Sequence, residues 1–247
     1  HAAMVQNPGL VFHGCDDLRV LQGVILDGAP PTLRFGAGKA IKQDGVFRAQ
    51  AEVRSRRPDG REVLHARADI LLASTLPAAP SARSLGGLEP YPLKPSETYR
   101  QGLLFHGPGM QGIEMIEGIA ETGIAGVSRS APPASEWMRQ PLRQGWLADP
   151  QVLDTAFQMG ILWTLEERGM GSLPVRLGRY RQYRKNFPAD GEIRVLFFLE
   201  RAGDMHAVAS IDFIDAQGKL LARLDEYECV LDAKLSRAFR RNIPTTA

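Results

Sequence analysis

A chain of 247 residues fits one large domain or two fused halves of similar plan, and its 44% apolar and 23% charged residues suffice for a real core. A net charge of +2 removes any global electrostatic basis for binding nucleic acid or a membrane surface. No apolar run is long enough to span a bilayer, and Cys15 and Cys229 lack metal-ligand spacing, which fits a reducing cytoplasm.

The opening "HAAMVQ" reads as the end of a helix stopped by Asn7-Pro8-Gly9, with neither the basic nor the apolar region of a signal peptide. Strands are predicted at 18–26, 32–41, 46–55 and 62–73, separated by the hairpin dipeptides Asp27-Gly28, Asp44-Gly45 and Asp59-Gly60. In the last of these, Leu64, Ala66, Ala68 and Ile70 alternate with His65, Arg67 and Asp69, the period of a half-buried antiparallel strand. Residues 75–98 are rich in Pro, Gly and Ser and predict a surface linker. Two further strands are expected at 99–106 and 112–127, followed by an irregular stretch containing "SAPPASEW". A helix is predicted over 150–168, with Asp149 as N-cap, Pro150 at the first helical position and Gly169 as its stop. Strands at 173–184, 192–201, 206–215 and 219–231 complete the chain, with turns at Asp190-Gly191 and Gln217-Gly218.

The second half thus repeats the first: a helix followed by four antiparallel strands. The expected division is an incomplete N-terminal half (1–74), a connection (75–98) and a C-terminal half (99–247). A long helix wrapped by an antiparallel sheet, repeated twice, is an α+β double hotdog, here with the first hotdog incomplete at its N-terminus. Such a half exposes an apolar groove, to be filled by homodimerisation or by a segment outside this sequence.

Within the mostly apolar helix the anomalies are Asp154 and Gln158, four residues apart and therefore on one face. Among Val152, Leu153, Ala156 and Phe157 the aspartate would be partly desolvated, which favours a protonated carboxyl usable as a general acid. The plainer reading is a first-turn acid that complements the helix dipole on an exposed face. His106-Gly107-Pro108 likewise reads either as a loop lining a site or as a simple turn. The Gly-x-x-x-x-Gly spacing of Gly102, Gly107 and Gly112 has no Lys-Ser/Thr partner for a phosphate loop. No Ser-centred nucleophile elbow is present, and His13, His65 and His206 lack metal-ligand spacing.

"YRQGLLFHGPGMQGIE" followed by "ADPQVLDTAFQ" resembles the second half of polyketide synthase dehydratase domains, a double hotdog family. In that family a Tyr-Gly-Pro loop with a following Gln precedes a helix opening His-Pro-x-x-Leu-Asp-x-x-x-Gln. "DDLRVLQGVIL" is similar to its first strand, so the likeness covers nearly the whole chain. This sequence departs from the pattern at His106, where the family has tyrosine, and at Asp149, where it has histidine. It also has no His-x-x-x-Gly-x-x-x-x-Pro segment, which carries the family's catalytic histidine upstream of the first helix.

The resemblance implies removal of water from a 3-hydroxyacyl chain held on the phosphopantetheine of an acyl carrier protein, with no metal or redox cofactor. Asp154 would protonate the departing hydroxyl and Gln158 would orient it, while His106, Gly107 and Pro108 would line the substrate. Other synthase domains are expected neighbours. A catalytically inactive dehydratase-like binding module, or another hotdog activity such as thioesterase or enoyl isomerase, stays open. Two basic clusters, Arg176, Arg179, Arg181, Arg184 and Lys185, and Arg237, Arg240 and Arg241, read as solvated surface or as a docking face for an acidic carrier.

Overall fold

The turn dipeptides and the alternating runs produce antiparallel pairing throughout. A computed structural model describes residues 1–24, 31–189 and 191–241; the turns expected at Asp27-Gly28 and at Asp190 lie outside the described residues, in whole or in part. In chain order the first half comprises α1 (Ala2–Gln6), β1 (Val11–Val20), β2 (Arg34–Ala37), β3 (Ile41–Gln43), β4 (Val46–Arg56) and β5 (Glu62–Ala73). Next come α2 (Pro95–Arg100), β6 (Ile113–Ala120), β7 (Gly123–Arg129), α3 (Ala134–Trp137) and α4 (Pro150–Arg168). The chain then runs through β8 (Gly171–Gln182), β9 (Glu192–Ala202), β10 (His206–Ile214), β11 (Leu220–Asp232) and α5 (Ala233–Arg241).

The eleven strands form one continuous sheet, ordered β2-β4-β5-β1-β8-β11-β10-β9-β7-β6 with β3 paired to β4. The two halves therefore share a sheet rather than owning separate ones. Their seam is β1, which pairs β5 on one side and β8 on the other. Gly14 makes the close approach possible: its φ is +155°, and a Cβ there would lie 1.9 Å from the Tyr180 carbonyl oxygen. At the β3–β4 hairpin Asp44 (φ 49°) and Gly45 (φ 82°) both adopt the left-handed region that a two-residue turn requires.

Helix α4 has the expected bounds because both ends are capped. The Asp149 carboxylate accepts the Gln151 and Val152 N–H groups at 2.9 and 3.0 Å, and Gly169 (φ 66°) closes the other end by donating to the Leu165 carbonyl at 3.0 Å. Val152, Ala156, Met159, Leu162 and Trp163 have no exposure, so the helix is enclosed by β7, β8 and β9. Each large side chain so buried contributes on the order of 1.5–3 kcal/mol. The core around α4 also takes in Phe12, Cys15, Leu18 and Ile70 from the first half. Among the described residues that half carries only the five-residue α1, which packs Ala3 against Ala49 and Leu72.

Several boundaries differ from expectation. The segment 99–106 is not a strand: Pro95 starts α2, the Lys94 N–H donates to Glu97 Oε2 at 2.9 Å, and Gly102 (φ 68°) ends the turn, leaving Leu104 to enter the core. The run 112–127 folds back on itself as β6 and β7, since Gly123 (φ 153°) permits a tight return against Phe197. The strand expected at 18–26 begins earlier, directly after Asn7-Pro8-Gly9, and ends at Val20. The strand at 32–41 is split into β2 and β3.

The 75–98 linker is a strap tied to the sheet. Arg83 makes a backbone and two side-chain hydrogen bonds to Asp212, whose side chain has no exposure and is also held by Arg223. The Arg83 guanidinium lies over the Phe198 ring at 4.2 Å. Farther along, Glu89 and Ile119 exchange backbone hydrogen bonds of 2.8 and 2.9 Å.

Candidate active site

Residues 154 and 158 stand one turn apart on α4, so their side chains meet. Gln158 Nε2 donates to Asp154 Oδ2 and to the Met110 carbonyl, both at 2.7 Å. Its Oε1 accepts the Tyr99 hydroxyl at 2.6 Å, and that hydroxyl accepts the Ile113 N–H at 3.2 Å. The amide is therefore held from three sides and has one orientation. Asp154 is 27% exposed, so one edge remains open to the surroundings.

The His106–Gln111 loop folds over this pair. Pro108–Met110 form a 3₁₀ turn in which the Met110 N–H donates to Gly107 at 2.9 Å, and this aims the Met110 carbonyl at Gln158. The Gln111 side chain donates to the His106 carbonyl at 3.1 Å. The His106 ring stacks on Phe105, with centroids 4.3 Å apart, and Phe105 packs on Phe239 of α5 at 4.6 Å. His106 Nε2 lies 3.3 Å from Asp154 Oδ2, whereas Nδ1 is buried without a partner among the described residues. Burial pushes the imidazole below its ordinary value, and the Asp154 charge opposes this only in part.

The structure thus brings Asp154, Gln158 and His106 together. Gly107 and Pro108 shape the turn behind them. Sequence reasoning missed Tyr99, which is 59 residues away from Gln158 and sits on a segment read as a strand; burial drives its phenol well above the ordinary range and keeps it a hydrogen-bond donor. The Tyr227 hydroxyl, buried on β11 with its ring stacked on Phe157 at 5.2 Å, has no partner among the described residues.

The first basic cluster is largely neutralised in place. Arg176 pairs with Asp17 and Glu228, Arg181 with Asp16, Arg179 with Asp225 and Arg184 with Asp215. It reads as a ladder of cross-strand ion pairs, not a free cationic face. No described helix is long and apolar enough to cross a membrane.

The family model for the polyketide synthase dehydratase N-terminal domain matches residues 77–231. The chain belongs to the polyketide synthase dehydratase family. The family match spans the whole constellation of Tyr99, His106, Asp154 and Gln158. The chain is also 25% identical over 225 residues, 87% of its length, to a polyunsaturated fatty acid synthase polypeptide of Thraustochytrium sp., and spans 8% of that relative. Among solved structures, the dehydratase domain from the CurF module of curacin polyketide synthase superposes with a TM-score of 0.69 at 18% identity, covering 94% of this chain and 80% of that one. The dehydratase domain of PpsC from Mycobacterium tuberculosis gives 0.63 at 22% identity, over 90% and 75% of the two chains. That of RzxB from Pseudomonas fluorescens gives 0.65 at 18%, over 88% and 75%. These likenesses carry the double hotdog fold.

Proposed function

We propose that this chain supplies the acid of a dehydratase domain that, within a larger synthase, removes water from a 3-hydroxyacyl thioester presented on the phosphopantetheine arm of an acyl carrier protein; no residue of this sequence is assigned as the base. The observation that carries the reading is the fixed pair on α4: Gln158 binds Asp154 Oδ2 and is itself locked by Tyr99 and Met110. An elimination needs a placed acid, because the hydroxyl leaves as water only when protonated. Asp154 fills that role: its carboxyl proton passes to the C3 hydroxyl as the C3–O bond breaks. The C2 proton passes to the histidine base that the family resemblance implies, and its electron pair becomes the C2–C3 double bond. Membership in a family of lyases acting on hydroxyacyl thioesters supports the same assignment.

The test is the intact mass of a 3-hydroxyacyl carrier protein after incubation with this chain, and with a version extended upstream in its own gene. Loss of one water, reduced at least about 100-fold by Asp154→Asn, is the expected result. Unchanged mass with both proteins would overturn the reading.

A further inference from the structure

Asp154 Oδ2 is approached from two sides, by Gln158 Nε2 at 2.7 Å and by His106 Nε2 at 3.3 Å, while no described residue donates to Oδ1. The state of His106 follows from its other nitrogen. Nδ1 is buried without a partner among the described residues, and a proton there would be an unsatisfied buried donor costing about 1–3 kcal/mol. With the proton on Nδ1, a lone pair on Nε2 would face the Asp154 oxygen, so the favoured tautomer carries its proton on Nε2. The ring cannot swing away to satisfy Nδ1. It is stacked on Phe105, which α5 backs through Phe239, and its own carbonyl is tied to Gln111.

Resting on the dehydratase reading of Asp154, we propose that His106 is a positioning residue: its Nε2–H and the Gln158 amide together occupy Oδ2, dedicating Oδ1 to the departing hydroxyl of the substrate. Burial of the imidazole supports this, because it keeps the ring a neutral donor over a wider pH range. At 3.3 Å the contact is not yet aligned as a hydrogen bond, as is common for catalytic contacts that tighten only in the substrate complex. His106 in this arrangement neither takes nor gives a proton during the elimination; it fixes which oxygen of the carboxyl does.

The experiment compares His106→Phe, which keeps a ring and removes the donor, with His106→Gln, which keeps an N–H near the position of Nε2. With whichever form of the protein dehydrates, H106F lowers kcat about 10- to 100-fold with KM little changed, and H106Q keeps most of the wild-type kcat. A fully active H106F would overturn the proposal, as would an H106Q as inactive as H106F. Nitrogen-15 NMR of the histidine ring decides the matter without turnover: protonated Nε2 and bare Nδ1 are expected, and the opposite tautomer would refute the assignment. If no form of the protein dehydrates, the dehydratase reading falls, and the tautomer still decides whether His106 holds Asp154.

Discussion

The Tyr99 hydroxyl donates a hydrogen bond to Gln158 Oε1 at 2.6 Å and accepts one from the Ile113 N–H at 3.2 Å, so one oxygen joins α2, β6 and α4. Tyr99→Phe leaves a buried amide oxygen and a buried N–H without partners, at a cost of about 1–3 kcal/mol. It also frees Gln158 to rotate, and the acid it holds loses orientation. The expected result is a kcat reduced about 10- to 100-fold with KM nearly unchanged. Steady-state kinetics paired with a thermal melt would check it; a destabilised variant with full kcat would show that Tyr99 serves the fold alone.

Tyr227 makes the opposite prediction. Its hydroxyl is buried and unpartnered among the described residues, so it contributes desolvation without a compensating bond. Tyr227→Phe keeps the stack on Phe157 and is expected to be neutral or to stabilise by about 1 kcal/mol. Urea denaturation measures this. A clear loss of stability would reveal a hydrogen bond made in solution.

Asp212 ties the strap to the sheet. The Arg223 and Arg83 guanidiniums hold its carboxyl below the ordinary value, against the cost of burial. A carboxyl depressed on folding stabilises the protein above its unfolded value near 3.8, and that stabilisation is lost as pH falls through the lower folded value. Asp212→Asn should cost about 1–3 kcal/mol at neutral pH, because the two partly exposed arginines lose their charged partner while an amide oxygen remains to accept. The variant should also lose less stability than the parent between neutral pH and pH values below about 4. Denaturation midpoints at the two ends of that range test both statements, and parallel pH dependence would contradict them.

Gly14 is the tightest point of the seam. Any side chain would drive its Cβ into the Tyr180 carbonyl, and the φ of +155° is strained for an L-residue. Gly14→Ala is expected to destabilise by at least about 2 kcal/mol, or to prevent folding, as measured by chemical denaturation or soluble yield.

The second half was largely legible because its signals are local. Asp149, Pro150 and Gly169 bracket α4 within the sequence itself, and alternation with turn dipeptides marked most strands. Asp154 and Gln158 stood out as polar residues on an apolar helix. The remainder depends on contacts between distant segments. Nothing near Tyr99 announces Gln158, and "GLLF" has a strand's composition although Leu104 is simply dropped into the core by a turn. The Arg83–Asp212 tie joins residues 129 apart, so the strap looked like a passive linker. The basic cluster looked free because its carboxylate partners sit on neighbouring strands. The helical continuation of β11 into α5 has one local mark that the sequence reading passed over: Asp232, whose carboxylate accepts the Lys234 N–H at 2.7 Å as an N-cap.

The seam through β1 bears on how such a domain can be inherited or rebuilt. Phe12, Cys15, Leu18 and Ile70 pack into the cluster surrounding α4, so the hydrophobic interior does not respect the boundary between the repeated halves. A recombination junction placed near residue 98, where the sequence invites a cut, would sever that interior. The smallest part that keeps this interior whole is the entire sheet.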